Sequence, residues 1–241
     1  MHELNDVLWA MQTRDAFSDL AKRGAVVIVP IASTEQHGLH LPVDTDVRTV
    51  EYVTRQAAMR AEVPVLVAPT IGYGMSPHHM KYGGTITLRV ETILYVLQDI
   101  CNSLIVNGFE RILIVSGHGG NGQTIGAAAQ ELKYTRNREI RACCWFDLIP
   151  ETWQTVPEGP SKNIGHSGEA ETSAILVLTP DLVRSDRLQL VEGITDDPRR
   201  GTAAKGERIL EDAVQAMIAL LHEMHAAPGQ DAPGIVTTKA H

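Results

Sequence analysis

AVVIVPIASTEQHGLHLPVDTD, residues 25–46, begins as a β-branched apolar run and ends as a loop crowded with polar side chains. An apolar run that short, closed by a polar segment, reads as a buried strand rather than a helix. Outward from it, short strand-like runs alternate with longer helical patterns. Residues 47–61 carry helical spacing, VPVLVAPTI (63–71) is the next strand, and GTITL (84–88) leads into a helix near 90–107. RILIVS (111–116) is a strand followed by glycines and a helix from about 121 to 134. IRACCWFD (140–147) reads as another strand, and 170–178 and 202–225 as helices, the latter spaced by Ile209, Ala213, Ala216, Met217, Leu220 and Leu221. Strands alternating with helices of that length imply βαβ units. The expected fold class is therefore α/β, one domain over residues 1–241 with a mostly parallel sheet and helices on both faces.

The bulk composition agrees. The chain has 241 residues, 44% of them hydrophobic and 21% charged, as in an ordinary globular protein. A net charge of −8 argues against nucleic acid or an anionic membrane surface as partner. No run approaches the roughly 18 apolar residues of a membrane span. The opening MHELNDVLWAMQ lacks a basic leader region, so a cytoplasmic location is expected. Cys101, Cys143 and Cys144 give no disulfide framework; the adjacent pair in ACCWF reads as small buried hydrophobes.

In open α/β sheets, ligands bind beyond the carboxyl ends of the strands. STEQHGLHLPVDTD (33–46) and SGHGGNG (116–122) follow the two most strand-like runs, so both belong on one rim of the sheet. The first segment holds Glu35, His37, His40, Asp44 and Asp46 within twelve residues. Glu35 and His37 are two apart and share a face on extended backbone, while the loop can fold back to return Asp46 to that face. His118, in the second segment, projects over the rim. Mixed imidazole and carboxylate donors suit a borderline divalent cation such as zinc or manganese. The plainer alternative is a solvated loop with capping acids.

Gly117, Gly119 and Gly122 also satisfy G-x-G-x-x-G between a strand and a helix, which points to a rival from another class, a non-catalytic nucleotide-binding protein. The same glycines equally give backbone room around a metal and its substrate. A third segment, IGHSGEAETS (164–173), sets His166 beside Glu169 and Glu171 at a helix entrance. That grouping fits either simple helix capping or a general acid/base with its orienting partner.

These segments carry a family resemblance. EQHGLHLPVDTD resembles the E-Q-H-G-x-H-L-P-x-x-T-D signature of the creatininase (creatinine amidohydrolase) family. SGHGGNG is similar to that family's N-G-H-x-x-N, HSGEAETS to its H-x-G-x-x-E-T-S, HHMKYGGTITL (78–88) to its H-x-x-F-P-G-T-I-S-L, and AAKGERIL (203–210) to its E-K-G-E-x-I-L block. The resemblance spans roughly residues 25–215. It implies an α/β fold assembling as a homo-oligomer, a hexamer, with two divalent ions per chain, zinc or manganese, ferrous iron being also suited. By position, Glu35 and His118 would bind one ion and His37 the other, with Asp46 bridging them and a hydroxide held between. His166 would donate a proton to the leaving nitrogen, oriented by Glu171, while His40 and Asp44 would shape the loop.

The chain departs from creatininase itself at Gly120, where that enzyme carries a glutamate for the second ion, and at Glu169, where it carries an apolar residue. Many other family members share the pattern seen here, so Glu169 is expected to supply the missing metal carboxylate. Tyr82-Gly83-Gly84 replaces the common F-P-G, and Trp145 and Trp153 flank a lid-like stretch, 148–165, where tryptophan would cover substrate, Trp145 being equally suited to the core. The implied activity is hydrolysis of a small polar, cyclic carbonyl compound by opening a C–N amide bond. Formamide deformylation and C–C cleavage of a cyclic diketone are variants that the same site would serve.

Overall fold

Every side chain of β1 (Val26–Ile31) is buried, and successive residues feed two different cores. Val26 and Ile28 join one, and Val27, Val29 and Ile31 the other, as the two-residue period of a strand requires. β3 (Arg111–Ser116) divides in the same way, with Leu113 and Val115 on one face and Ile112 and Ile114 on the other. A strand apolar on both faces needs a helical layer on each side. The computed structural model, which describes residues 2–227, has both layers.

Two helices, α1 (Leu4–Val7) and α2 (Arg14–Lys22), precede β1. There follow α3 (Thr45–Arg60), β2 (Val65–Val67), α4 (Val90–Val106), β3, α5 (Gly122–Arg136), β4 (Glu139–Cys144), α6 (Pro150–Thr155), α7 (Glu169–Leu178) and α8 (Ala203–Ala226). The four strands are parallel in the order β2-β1-β3-β4. Val50, Val53 and Ala57 of α3, Ala170 and Ala174 of α7, and Ile209, Ala213 and Met217 of α8 cover one face. Ile93 and Leu97 of α4 and Ile125 and Ala128 of α5 cover the other. The expected α/β fold is the observed one, and its sheet is wholly parallel. Residues 1 and 228–241 of the expected 1–241 domain lie outside the described residues.

The connection after β1 thus leaves to one face through α3, and the connection after β3 leaves to the opposite face through α5. Between two such strands the loops part and open a crevice at their carboxyl ends. The polar segments after β1 and β3 meet in that crevice.

Two strands are shorter than their sequences suggest. Of residues 63–71, β2 takes Val65–Val67, because Pro64 and Pro69 lack the N–H a ladder needs; the pairing resumes as a single bridge from Ile31 to Ile71. The run 140–147 leaves the sheet at Cys144 and tightens into a 3₁₀ turn over Trp145–Leu148. Burial raises all three cysteine thiols to about 12, in keeping with packing rather than reactivity. Among the described residues no helix is long and apolar enough to cross a membrane.

Candidate metal centre

The loop after β1 folds back on itself because the Glu35 N–H donates to the Val43 carbonyl at 2.9 Å. That bond brings the first turn of α3, with Asp46, beside Glu35. The helix N-terminus favours an ionised carboxylate there. Asp44 turns outward to a paired contact with Arg48 (2.8 and 2.7 Å). His40 is buried against the Thr172 hydroxyl at 2.9 Å. Both shape the loop and stand apart from the cluster.

After β3, the Ser116 hydroxyl accepts the His118 N–H at 3.0 Å and donates to the His118 carbonyl at 2.8 Å, fixing the turn. His118 Nε2 donates to the Met75 carbonyl at 3.1 Å. Its Nδ1 then faces Glu35 Oε1 at 3.1 Å and Asp46 Oδ2 at 3.2 Å. His37 is oriented in the same manner: Nδ1 donates to the Glu35 carbonyl at 3.1 Å, and Nε2 faces Asp46 Oδ1 at 3.2 Å and Glu171 Oε2 at 3.4 Å. A carbonyl behind each imidazole, aiming its other nitrogen inward, is the usual support of a metal-binding histidine.

Glu35, His37 and Asp46 are almost wholly buried, and His118 is 5% exposed. Yet Glu35 Oε1 and Oε2, His37 Nε2 and Asp46 Oδ2 make no hydrogen bond of proper geometry. Four buried polar atoms converging without partners are costly unless a cation joins them. The donor atoms of Glu35, His37 and Asp46 lie close enough together to hold a metal ion, as do those of His37, His166 and Glu171.

Electrostatics give the same picture in protons. Burial alone would lower the His37 pKa, but Glu171 and Asp46 hold it well above the ordinary histidine value. Against the same effect of burial, Asp46 and Glu35 push His118 up to about 10. Burial would raise Asp46 and Glu35, but the neighbouring imidazoles hold both carboxyls below their usual range. In the metal-free chain, then, protons on two imidazoles balance the carboxylates.

The segment before α7 corrects two expectations. Glu169 is not in the cluster: it accepts from Lys205 Nζ at 2.6 Å and from the backbone N–H groups of Glu158 and Gly159 at 3.0 and 2.8 Å. Glu171, expected to orient His166, instead faces His37, and its Oε2 is held by the Ser167 N–H. The reason is helical phase. α7 begins at Glu169, so His166 precedes the helix and helical spacing does not link it to Glu169. Two residues on a helix are about 200° apart, so Glu169 and Glu171 face opposite sides. His166 is oriented by Gln36, with Nε2 2.8 Å from the Gln36 carbonyl and Nδ1 3.3 Å from Glu35 Oε1. Burial and the nearby His37 charge lower its pKa.

Three site residues escaped the sequence reading. His79 stacks on His166 with ring centroids 4.1 Å apart and lies 3.7 Å from Glu35; burial and His166 lower it to about 4. Gln36 touches both imidazoles. Asn121 pins three segments, donating to the Ala32 carbonyl and the Ser116 hydroxyl and accepting from the Met75 N–H. The signal was present: each falls inside a quoted motif.

The G-x-G-x-x-G glycines serve the same packing. A Cβ on Gly117 would lie 2.4 Å from the Asp46 carbonyl oxygen, so this glycine lets α3 reach the site. A cleft of about 720 Å³ opens over the cluster, lined by Glu35, His118 and His166 and, farther out, by Phe146, Trp153, Ile164 and Ile194. Trp145 is buried in the core; Trp153 forms part of the cleft wall, its indole donating to the Phe146 carbonyl at 2.7 Å.

Comparison with known proteins accords with this geometry. The chain is 34% identical over 215 residues to a mycofactocin precursor peptide peptidase of Mycolicibacterium smegmatis, covering 78% of this chain and 81% of that protein. It is 28% identical over 239 residues to a creatinine amidohydrolase of Pseudomonas putida, covering 85% and 91%. A crystal structure of creatininase superposes with a TM-score of 0.81 at 26% identity, over 92% of this chain and 99% of that one. A manganese creatininase and a variant of Zn-Zn type each superpose with a TM-score of 0.79 at 27% identity, over 92% of this chain and at least 99% of theirs. The profile of the creatininase (creatinine amidohydrolase) family matches residues 10–221, and the chain belongs to that family of metal-dependent amidohydrolases.

Proposed function

We propose that this chain uses two divalent ions, zinc or manganese, to hydrolyse a C–N amide bond in a substrate with an apolar side group. The observation that carries the reading is the set of buried, unpartnered donor atoms on Glu35, His37 and Asp46. Glu35, Asp46 and His118 would hold one ion and His37, Asp46 and Glu171 the other, with Asp46 shared. Two divalent ions bound there supply polarisation of the carbonyl and a water of lowered pKa. The carbonyls of Glu35 and Met75 hold one ring proton of His37 and of His118, so the nitrogen facing the carboxylates is the one that would give up its proton to an ion. His166 moves a proton at Nδ1, the nitrogen beside Glu35.

The cleft supports an extended substrate. Its volume falls in the range of sites for drug-sized ligands, roughly 300–1,000 Å³, and the wall of Phe146, Trp153, Ile164 and Ile194 would stay unused by a bare polar ring. We read the substrate as an amide near the end of a short peptide, which the similarity to a precursor-peptide peptidase favours. The second reading, a small cyclic amide, is favoured by the superposition on creatininase. A cytoplasmic homo-oligomer completes the proposal; exposed Tyr73, Ile86, Val90 and Tyr95 offer apolar surface for assembly, and light scattering tests it.

The experiment is a panel of short peptides, lactams including creatinine, formamides and cyclic diketones, presented to zinc- or manganese-loaded protein. Peptide cleavage abolished by metal removal supports the first reading. Turnover confined to lactams supports the second, and no amide turnover at all overturns both.

A further inference from the structure

We propose that Gln36 holds His79 and His166 in opposite roles, with His79 presenting an N–H and His166 a bare nitrogen to the same edge of the cleft. The argument is one of counting protons. Gln36 Oε1 accepts the Gly38 N–H at 2.9 Å, so the orientation of the amide is fixed and Nε2 is its donor end. One Nε2 proton goes to the Gly193 carbonyl at 2.7 Å. The other has two candidate acceptors, each at 3.0 Å: His79 Nδ1 and His166 Nε2.

His166 decides between them. Its Nε2 also lies 2.8 Å from the Gln36 backbone carbonyl, which can only accept. His166 Nε2 therefore carries a proton, and the second amide proton goes to His79 Nδ1. A neutral imidazole has one N–H, so that of His79 sits on Nε2, while His166 Nδ1 is bare. His79 Nε2 and His166 Nδ1 stand 3.7 and 3.3 Å from the same oxygen, Glu35 Oε1. Gln36 is a positioning residue in this arrangement, and His79 is a fixed donor beside the nitrogen that moves the proton. The effect on turnover rests on the hydrolase reading; the tautomers do not.

The test is ¹⁵N spectroscopy of histidine-labelled, zinc-loaded protein, with His79 and His166 assigned by substitution. The expected result is a proton on Nε2 of both rings. Gln36→Glu keeps an acceptor for Gly38 and removes the donor to His79, so the His79 proton should move to Nδ1. A wild-type His79 protonated on Nδ1, or one whose nitrogens both bind zinc, overturns the proposal, as does a tautomer unmoved in Gln36→Glu. Two further variants read the role of His79 should Gln36→Glu fail to fold. His79→Phe keeps the stacked ring without the donor and should lower kcat about 10²-fold with little change in KM, the order expected of a lost positioned donor. His79→Gln keeps an N–H and should retain more of the rate; equal losses in the two variants overturn the donor role. If no substrate is turned over, the hydrolase reading fails while the spectrum still decides the tautomers.

Discussion

Glu171 Oε2 lies 3.4 Å from His37 Nε2. Two residues earlier on the same helix, Glu169 points the other way and closes a buried contact with Lys205. The two glutamates therefore have different work, and substitutions separate them. Glu171→Gln should weaken the ion at His37 by more than the 10–100-fold typical of outer partners of a metal ligand, while leaving the ion at His118 in place. Metal counting after dialysis reads this directly. Glu169→Gln should keep both ions and destabilise the fold by about 1–3 kcal/mol, because Lys205 loses a buried charged partner. A Glu169→Gln protein short of one metal would return that residue to the ligand set.

The protons on His37 and His118 make metal binding depend on pH. A ligand imidazole must be neutral to coordinate, so each ion displaces a proton. At about pH 7.5 zinc binding should release about two protons per chain, one from each of these raised histidines. Calorimetry in buffers of different ionisation enthalpy measures the number, and a value near zero contradicts the assignment.

The same shift sets the alkaline stability of the metal-free protein. The folded value of about 10 for His118 exceeds the unfolded value of roughly 6.5. Its contribution is fully present below about pH 6.5 and is lost as pH rises through about 10. The melting temperature of metal-free protein should therefore fall between about pH 8 and 10. Zinc-loaded protein, whose ligands are already deprotonated, should fall less. Parallel alkaline declines in the two forms would remove the imidazolium–carboxylate cluster from the account.

His166→Ala should slow turnover by about 10² to 10⁴, the usual worth of a positioned acid or base, with metal content unchanged. His166 also lies within reach of the His37–Glu171 pair. Loss of that ion in the variant would make His166 a ligand rather than a proton carrier.

What the sequence made legible was local. β1 and β3 announce themselves as apolar runs, and Glu35, His37, Asp46 and His118 follow them so closely that the rim of a parallel sheet has to gather them. The division of labour between Glu169 and Glu171 was not legible, because it turns on the residue at which α7 begins, and helix starts are set by tertiary contacts such as the Glu169 N–H donating to Asp196 at 2.7 Å. Gln36 and His79 were hidden for a related reason. Their long-range partners lie 43 to 157 residues away, and the motifs that contain both residues do not say that they meet there. α1 and α2 pack beside the sheet and are short, four and nine residues, with Phe17 and Leu20 as the large apolar side chains of α2, too little sequence to stand out.

Gly120 and Gly126 offer a paired test of whether the glycines after β3 serve the metal centre or the helix. At Gly120 an added Cβ would fall 2.3 Å from His118 Nε2 and 2.6 Å from the Met75 carbonyl, the two atoms whose hydrogen bond aims His118 Nδ1 at Glu35 and Asp46. Gly120→Ala must therefore push the imidazole off its carbonyl. Its cost is a strain of about 1–3 kcal/mol and weaker binding of the ion at Glu35, Asp46 and His118. Gly126, one turn into α5, has nothing within 4 Å of an added Cβ. Alanine there gains helix propensity, about 1 kcal/mol at an exposed interior position, or about 2–4 °C in melting temperature for a domain of this size. The expected outcome is opposite signs: Gly126→Ala melts higher with both ions at full affinity, and Gly120→Ala melts lower and loses one. Wild-type zinc affinity at both sites in Gly120→Ala would mean that His118 has another way to reach the metal, and that the close approach at Gly120 is incidental.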